Sequence, residues 1–266
     1  MSYVKLENFE LFYEIHGTGE PLVLISGFAS GAWIWYRQIE ELAKDFKVIT
    51  FDPRGVGQSV ISPETTVSIE AIADDTARLL DELEIKKANL LGASFGGFVA
   101  QEFALKHPDK LKKLILACTS FGGANHIAPN TEVLAAFAPQ SGASTFERVR
   151  RFMLPAFTKK FAAENNNEIE KVCKLREASD VPDAVYLQQL TAATTFNTEN
   201  RLSVIKNETL ILTGDSDLVV PPQNSENLAK AIPNSQLKIV EDGSHMFFIE
   251  KADEFNKTVK NFVLSH

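Results

Sequence analysis

Gly92-Ala93-Ser94-Phe95-Gly96 lies between the apolar run Ala88-Asn89-Leu90-Leu91 and the segment Phe98-Val99-Ala100-Gln101-Glu102-Phe103. The first flank reads as a buried strand and the second as a helix. A serine between them, with glycine two positions away on each side, fits a sharp turn in which the residues before and after the bend nearly touch. Only small neighbours are tolerated there. Such a turn lifts the hydroxyl above the end of a sheet and aims it at the first helical N–H groups, which makes Ser94 a candidate nucleophile. Gly and Ser are common residues, so the pattern gains weight only from what accompanies it. A nucleophilic serine needs a base, an acid to orient that base, and N–H donors for a developing oxyanion.

Working outward, the chain offers each of these. The β-like run Thr209-Leu210-Ile211-Leu212-Thr213 ends in Gly214-Asp215-Ser216-Asp217 and continues into Leu218-Val219-Val220-Pro221-Pro222, leaving two aspartates as acid candidates. A second strand-like run, Gln236–Val240, leads into Asp242-Gly243-Ser244-His245. Both positions follow a strand, where an open parallel sheet gathers its chemistry. The other histidines are less suited. His266 is the last residue, His107 precedes Pro108 at a helix end, His16 precedes Gly17 in a turn, and His126 falls in a loop. His245 alone has the strand, the glycine and the small residue beside it.

These residues together resemble the α/β-hydrolase superfamily, in the branch of capped serine esterases, enol-lactonases, cofactor-free haloperoxidases and meta-cleavage-product hydrolases. The resemblance spans nearly the whole chain. It rests on Ser26-Gly27-Phe28, the loop Asp52-Pro53-Arg54-Gly55-Val56-Gly57-Gln58-Ser59, the Gly92–Gly96 turn, Gly214–Asp217 and Gly243-Ser244-His245. The order Ser, Asp, His along the chain is the order of that fold. The resemblance implies an α/β fold with a mostly parallel, eight-stranded sheet flanked by helices, and a triad of Ser94, Asp217 and His245. It also implies an oxyanion hole from the backbone N–H groups of Phe28 and Phe95. Asp217 rather than Asp215 matches the acid, because it stands three residues past Gly214 and just before Val219-Val220-Pro221. Where the family commonly carries His-Gly, this chain has Ser26-Gly27, so the loop bearing Phe28 must be held by other means. Asp52 and Arg54 are expected to tie their loop together rather than to touch substrate.

The remaining sequence sets the frame. The chain has 266 residues with a net charge of −8, from 27 basic and 35 acidic residues, and no basic stripe that would suit nucleic acid. Two cysteines, Cys118 and Cys173, form neither a disulfide framework nor a metal-ligand spacing. No metal or organic cofactor is expected. Met1-Ser2-Tyr3-Val4-Lys5 does not open a signal peptide, and no apolar run suits a membrane, so the expectation is a cytoplasmic protein, monomeric or homodimeric.

Strands are expected at Tyr3–Leu6, Leu11–Ile15, Leu22–Ser26 and Val48–Phe51, with a helix from Trp33 through Leu42. Ile69, Ile72, Thr76, Leu79, Leu80 and Leu83 recur at helical spacing, with Asp74, Asp75, Asp81 and Glu82 on the opposite face. The strand–helix alternation stops after Ser120. Residues 121–205 read as helical, near Thr131–Phe137, Thr145–Leu154, Lys159–Glu177 and Asp183–Ala193, with Asn165-Asn166-Asn167 ending or linking helices. So long an excursion is too structured for a loop. It is expected to form a helical cap over the turn, with residues 1–120 and 206–266 as the core domain.

The expected substrate is a small ester or lactone, held in part by Phe121, Phe157 and Met246. Phe137, Phe152, Met153, Phe196 and Phe247 are further apolar candidates. Serine at position 94 excludes the aspartate-nucleophile chemistry of haloalkane dehalogenases and epoxide hydrolases. Carbon–carbon bond hydrolysis of dienoic acids would call on a cation such as Arg148, Arg150 or Arg151. Perhydrolysis and a slowly hydrolysing ligand receptor share the same residues.

Overall fold

The computed structural model describes residues 2–7, 9–136, 144–179 and 181–265. Eight strands form one sheet: β1 (Ser2–Lys5), β2 (Glu10–His16), β3 (Glu20–Ile25), β4 (Phe46–Phe51), β5 (Ala88–Ala93), β6 (Leu111–Ala117), β7 (Thr209–Gly214) and β8 (Ser235–Val240). Their order is β1-β2-β4-β3-β5-β6-β7-β8. β2 pairs antiparallel with β1 and β4, and every other pairing is parallel. The central strands are mostly apolar because helices cover both faces: every residue of β5 and of β7 is buried, Asn89, Thr209 and Thr213 among them. The edge strand β8 is only partly covered.

The first helices are α1 (Ile39–Leu42), α2 (Ile69–Glu82) and α3 (Phe95–Lys106). α2 begins where Ser68 accepts the Ala71 N–H at 3.1 Å, and it buries Ile69, Ile72, Leu79 and Leu80. Asp75, expected on its polar face, is instead fully buried beneath Arg54. The helix expected from Trp33 through Leu42 is broken into a 3-10 turn at Ala32–Trp35 and the single turn α1. Tertiary bonds decide this. The Asp52 carboxylate accepts the Ala32 N–H at 2.8 Å, and buried Gln38 donates to the Phe248 carbonyl at 2.5 Å.

Between β6 and β7 the chain runs through α4 (Thr131–Ala136), α5 (Thr145–Met153), α6 (Lys159–Glu164), α7 (Asn166–Ala178) and α8 (Asp183–Thr195). The stretch expected as one helix over Lys159–Glu177 is two, because Asn165 takes φ −125° and ψ 43° between them. Phe137, at the expected end of the first of these helices, lies outside the described residues. The excursion leaves and returns at one place: Gly122 bridges Asn197, and Thr198 N–H donates to the Phe121 carbonyl at 2.9 Å. The chain closes with α9 (Gln223–Ala231), α10 (Phe247–Glu250) and α11 (Ala252–Leu264). Among the described residues no helix is long and apolar enough to cross a membrane.

Candidate active site

Ser94 stands between the end of β5 and the start of α3 with φ +54° and ψ −119°, a strained conformation for a residue with a side chain. Packing enforces it. A Cβ on Gly92 would lie 2.2 Å from the Gly96 carbonyl oxygen, and one on Gly96 would lie 2.2 Å from the Ile25 oxygen. The turn is pinned from β6 as well, since Ser94 N–H donates to the Ala117 carbonyl at 2.9 Å and Thr119 Oγ1 donates to the Ser94 carbonyl at 2.8 Å.

His245 Nδ1 lies 2.9 Å from Asp217 Oδ2, with the two side chains 9% and 0% exposed. Asp217 is fixed in turn, because its Oδ1 accepts the N–H groups of Val219 and Val220, each at 2.8 Å. Those bonds explain why the Val219-Val220-Pro221 segment follows the acid. Asp215 turns outward and accepts from the Ser216 hydroxyl, and Asp242 faces a separate surface cleft. Cys118, at the end of β6, is fully buried; its burial and the nearby Asp217 charge push the thiol well up, which removes it as a rival nucleophile.

Ser94 and His245 line one cavity of about 460 Å³, together with Gly27, Phe28 and Phe95. No hydrogen bond joins the Ser94 hydroxyl to the imidazole among the described residues. Nor do the N–H groups of Phe28 and Phe95 donate to any described residue, so two donors beside Ser94 are unclaimed. The loop that bears Phe28 is held despite the Ser26-Gly27 sequence. The buried Ser26 hydroxyl donates to the Ser30 carbonyl at 2.5 Å, and Gln189 of α8 accepts the Ala29 N–H at 2.7 Å. Arg176 of α7 donates to the Phe28 carbonyl at 2.7 Å and to Ser30 Oγ at 2.6 Å.

Arg176 and His126 are two cavity residues that the sequence pattern missed or put elsewhere. Arg176 lines the cavity, and no carboxylate pairs with it among the described residues. Burial pulls its guanidinium down to about 10, so it remains cationic at neutral pH. Arg148, Arg150 and Arg151 do not line this cavity; they border two neighbouring clefts. His126 does line it, and burial holds its imidazole below the ordinary range while Asn224 opposes the shift.

Of the expected apolar wall, Met246, Phe152, Met153 and Phe196 are present. Phe121 is not: it is buried in the core beside α3. Phe157 stacks on Phe161 at 5.8 Å and faces the outer cleft, and Phe247 packs edge-on against Phe255. The loop after β4 is tied as expected. Asp52 accepts from Ala32 and Gln58, and Arg54 pairs with Asp75 through two bonds of 2.6 Å away from the cavity.

The sequence model of the alpha/beta hydrolase fold matches residues 20–252. The chain belongs to this family. Within it, the chain is 32% identical to the poly(3-hydroxyalkanoate) depolymerase of Ectopseudomonas oleovorans, over 91% of this chain and 84% of that one. It is 30% identical to a candidate carbamate hydrolase, RutD, of Azorhizobium caulinodans, over 98% of each. Among solved structures, the enol-lactonase of Burkholderia xenovorans LB400 superposes with a TM-score of 0.86 at 26% identity, covering 99% of this chain and 100% of that one. The enol-lactonase shares its fold from end to end.

Proposed function

We propose that this α/β-hydrolase is a serine hydrolase of small esters or lactones that works through an acyl-enzyme. The observation that carries the reading is convergence: a strained serine, an imidazole held by a buried carboxylate and two unclaimed N–H groups meet at one cavity. His245 takes the Ser94 proton at Nε2 as Oγ attacks the substrate carbonyl. The N–H groups of Phe28 and Phe95 receive the oxyanion, and the imidazolium returns its proton to the leaving alcohol. Water then repeats the sequence and frees the acid. Asp217 keeps the proton on Nδ1 and offsets the charge that forms on the ring. The helices between β6 and β7 act as a cap that limits water and shapes the substrate. The cavity of about 460 Å³ suits a small molecule.

The first experiment is steady-state hydrolysis of p-nitrophenyl esters of increasing acyl length, with lactones and an aryl carbamate in the same panel. Repeated turnover that disappears in Ser94→Ala supports the reading, and the length optimum sizes the pocket. A stall after one equivalent supports the receptor reading instead, and turnover surviving in the variant defeats both.

A specific observation favours a narrower substrate class. Arg176 presents a cation without a described carboxylate partner to the cavity that holds Ser94, which suits a substrate bearing its own carboxylate. Dienoic acids, cleaved at a carbon–carbon bond, belong to that class. A carboxylate-bearing ester compared with its neutral isostere tests it: a lower KM for the acid supports the class, and a higher one removes it.

A further inference from the structure

We propose that Glu250 is a positioning residue: its carboxylate fastens the His245 loop to the helical segment above it, so that the seating of one sets the aim of the other. The proposal rests on the reading of His245 as the general base. Glu250 Oε2 accepts the Ser244 N–H at 2.7 Å. Its Oε1 accepts the Thr158 N–H at 2.6 Å and the Thr158 hydroxyl at 3.0 Å. Ser244 directly precedes His245, and Thr158 opens α6, where its hydroxyl accepts the Phe161 N–H at 3.2 Å. On the other side of the histidine, Met246 N–H donates to the Ala156 carbonyl at 2.8 Å. Both chain neighbours of the imidazole are thus tied to residues Ala156–Thr158, and one of the two ties runs through a single side chain.

Three features separate this carboxylate from an ordinary surface acid. All three of its hydrogen bonds come from Ser244 and Thr158, and no cation comes within ion-pair distance among the described residues. Burial pushes the carboxyl above its ordinary range, while the Ser244 and Thr158 donors and the Lys251 charge draw it down. The loop it holds is wedged between two bodies. Gly243 backs onto Gly214, where a Cβ would lie 2.1 Å from the Gly243 oxygen, and Ser216 N–H donates to that same oxygen at 2.9 Å. The strand that presents Asp217 grips the loop from below, and Glu250 grips it from above. Without the upper grip, His245 keeps its bond to Asp217 but loses the constraint on the ring's reach toward Ser94.

Three variants divide the grip. Glu250→Gln keeps the shape and one accepting oxygen, and Glu250→Ala keeps neither oxygen. Thr158→Pro removes the upper side together with the cap that the Thr158 hydroxyl gives α6: φ at Thr158 is −64° and Phe157 is extended, so the ring fits the backbone while the Ser244 bond survives. The readouts are kcat and KM for p-nitrophenyl acetate, thermal unfolding, and the imidazole ¹H–¹⁵N resonances of His245. A misplacement on the ångström scale is expected to lower kcat about tenfold in Glu250→Gln and about a hundredfold in Glu250→Ala, with KM for this small ester nearly constant. Thr158→Pro should fall in the same direction, and the His245 resonances should move in all three. If the melting temperature drops while kcat per folded molecule and the resonances stay put, Glu250 is only a brace and the proposal is overturned. Should Glu250→Ala fail to fold, the other two variants decide. If the unaltered protein hydrolyses no ester, the serine-hydrolase reading fails, and the His245 resonances still judge Glu250 separately.

Discussion

The strand-end side of the cavity is fixed by backbone, whereas the helical side is fixed by side chains. Ser94, His245 and Asp217 each follow a strand of the sheet, and their surroundings leave no freedom: Gly92 and Gly96 close one turn, and Gly214 and Gly243 close another. Facing them, Phe152, Met153, Arg176, Leu190 and Phe196 reach in from α5, α7, α8 and the residue after it. Nothing in the backbone of those helices dictates which side chain points inward. A change of helical register by one residue would replace the whole lining. On the proposed reading, the reaction belongs to the strand ends and substrate choice to the helix faces, with Thr158, Arg176 and Gln189 tying the two sides together.

If that division holds, substitutions on the strand-end side should cost orders of magnitude in rate for any substrate. Ser94→Ala should lower kcat by about 10⁴–10⁶, measured on the best ester of the panel. Asp217→Asn comes next, at about 10⁴, because the amide favours the wrong imidazole tautomer. Asp215→Asn and Asp242→Asn should each stay within a few-fold of the unaltered rate, and the reverse ranking in folded variants would break the assignment of the acid.

The Arg54–Asp75 pair tests the strand-end side for stability rather than rate. Asp75 is fully buried, and burial already raises its carboxyl above the ordinary range despite Arg54. Arg54→Met leaves that charge without its partner and should cost about 3–5 kcal/mol in urea unfolding at pH 7. The loss should shrink as pH falls. In the variant the folded state binds the Asp75 proton more tightly than the unfolded chain does, so stability rises as pH drops through the folded value. A loss that grew on acidification would show that Asp75 is not the group left stranded.

A smaller loss than at Ser94 or Asp217 is expected from the helical side. Arg176→Met should reduce the preference for a carboxylate-bearing ester over its neutral isostere by about ten- to a hundredfold in kcat/KM, the worth of one charge-assisted contact. Because Arg176 also steadies the Phe28 loop, both substrates should slow, and the ratio is the informative quantity. An unchanged ratio would confine Arg176 to its structural bonds.

What was legible in the sequence follows the same boundary. The serine turn, the strand runs and the strand-end loops carry their geometry in glycine spacing and in short apolar runs, and both signals are local. Arg54 and Asp52 tie their loop together as their loop chemistry suggested. The misses depend on contacts distant in the chain. Trp33–Leu42 has helical spacing, yet the Asp52 carboxylate and the Gln38–Phe248 bond interrupt it. Phe121 and Phe157 are as apolar as Phe152 and Phe196, but each points away from the cavity. Arg176 carried no signal of its own, since one arginine in an amphipathic helix looks like any other until its surroundings are known. Glu250 was hidden for the same reason: two of its three hydrogen bonds come from backbone N–H groups, which leave no mark in residue identity, and the third comes from a hydroxyl 92 positions away.

The meeting of Gly122 with Asn197 has a consequence for how this chain could be rebuilt. Because the helical excursion begins and ends at one antiparallel contact, its two anchor points stay together whatever lies between them. A different insertion spliced across Gly122 and Asn197 would leave β6 and β7 in place, but it would have to resupply the Asn130 bond to the Leu218 carbonyl and the Thr158, Arg176 and Gln189 contacts that hold the loops of the site. The joint behaves as a socket, and the helices it carries are a part that can be exchanged only for one that restores the same points of attachment.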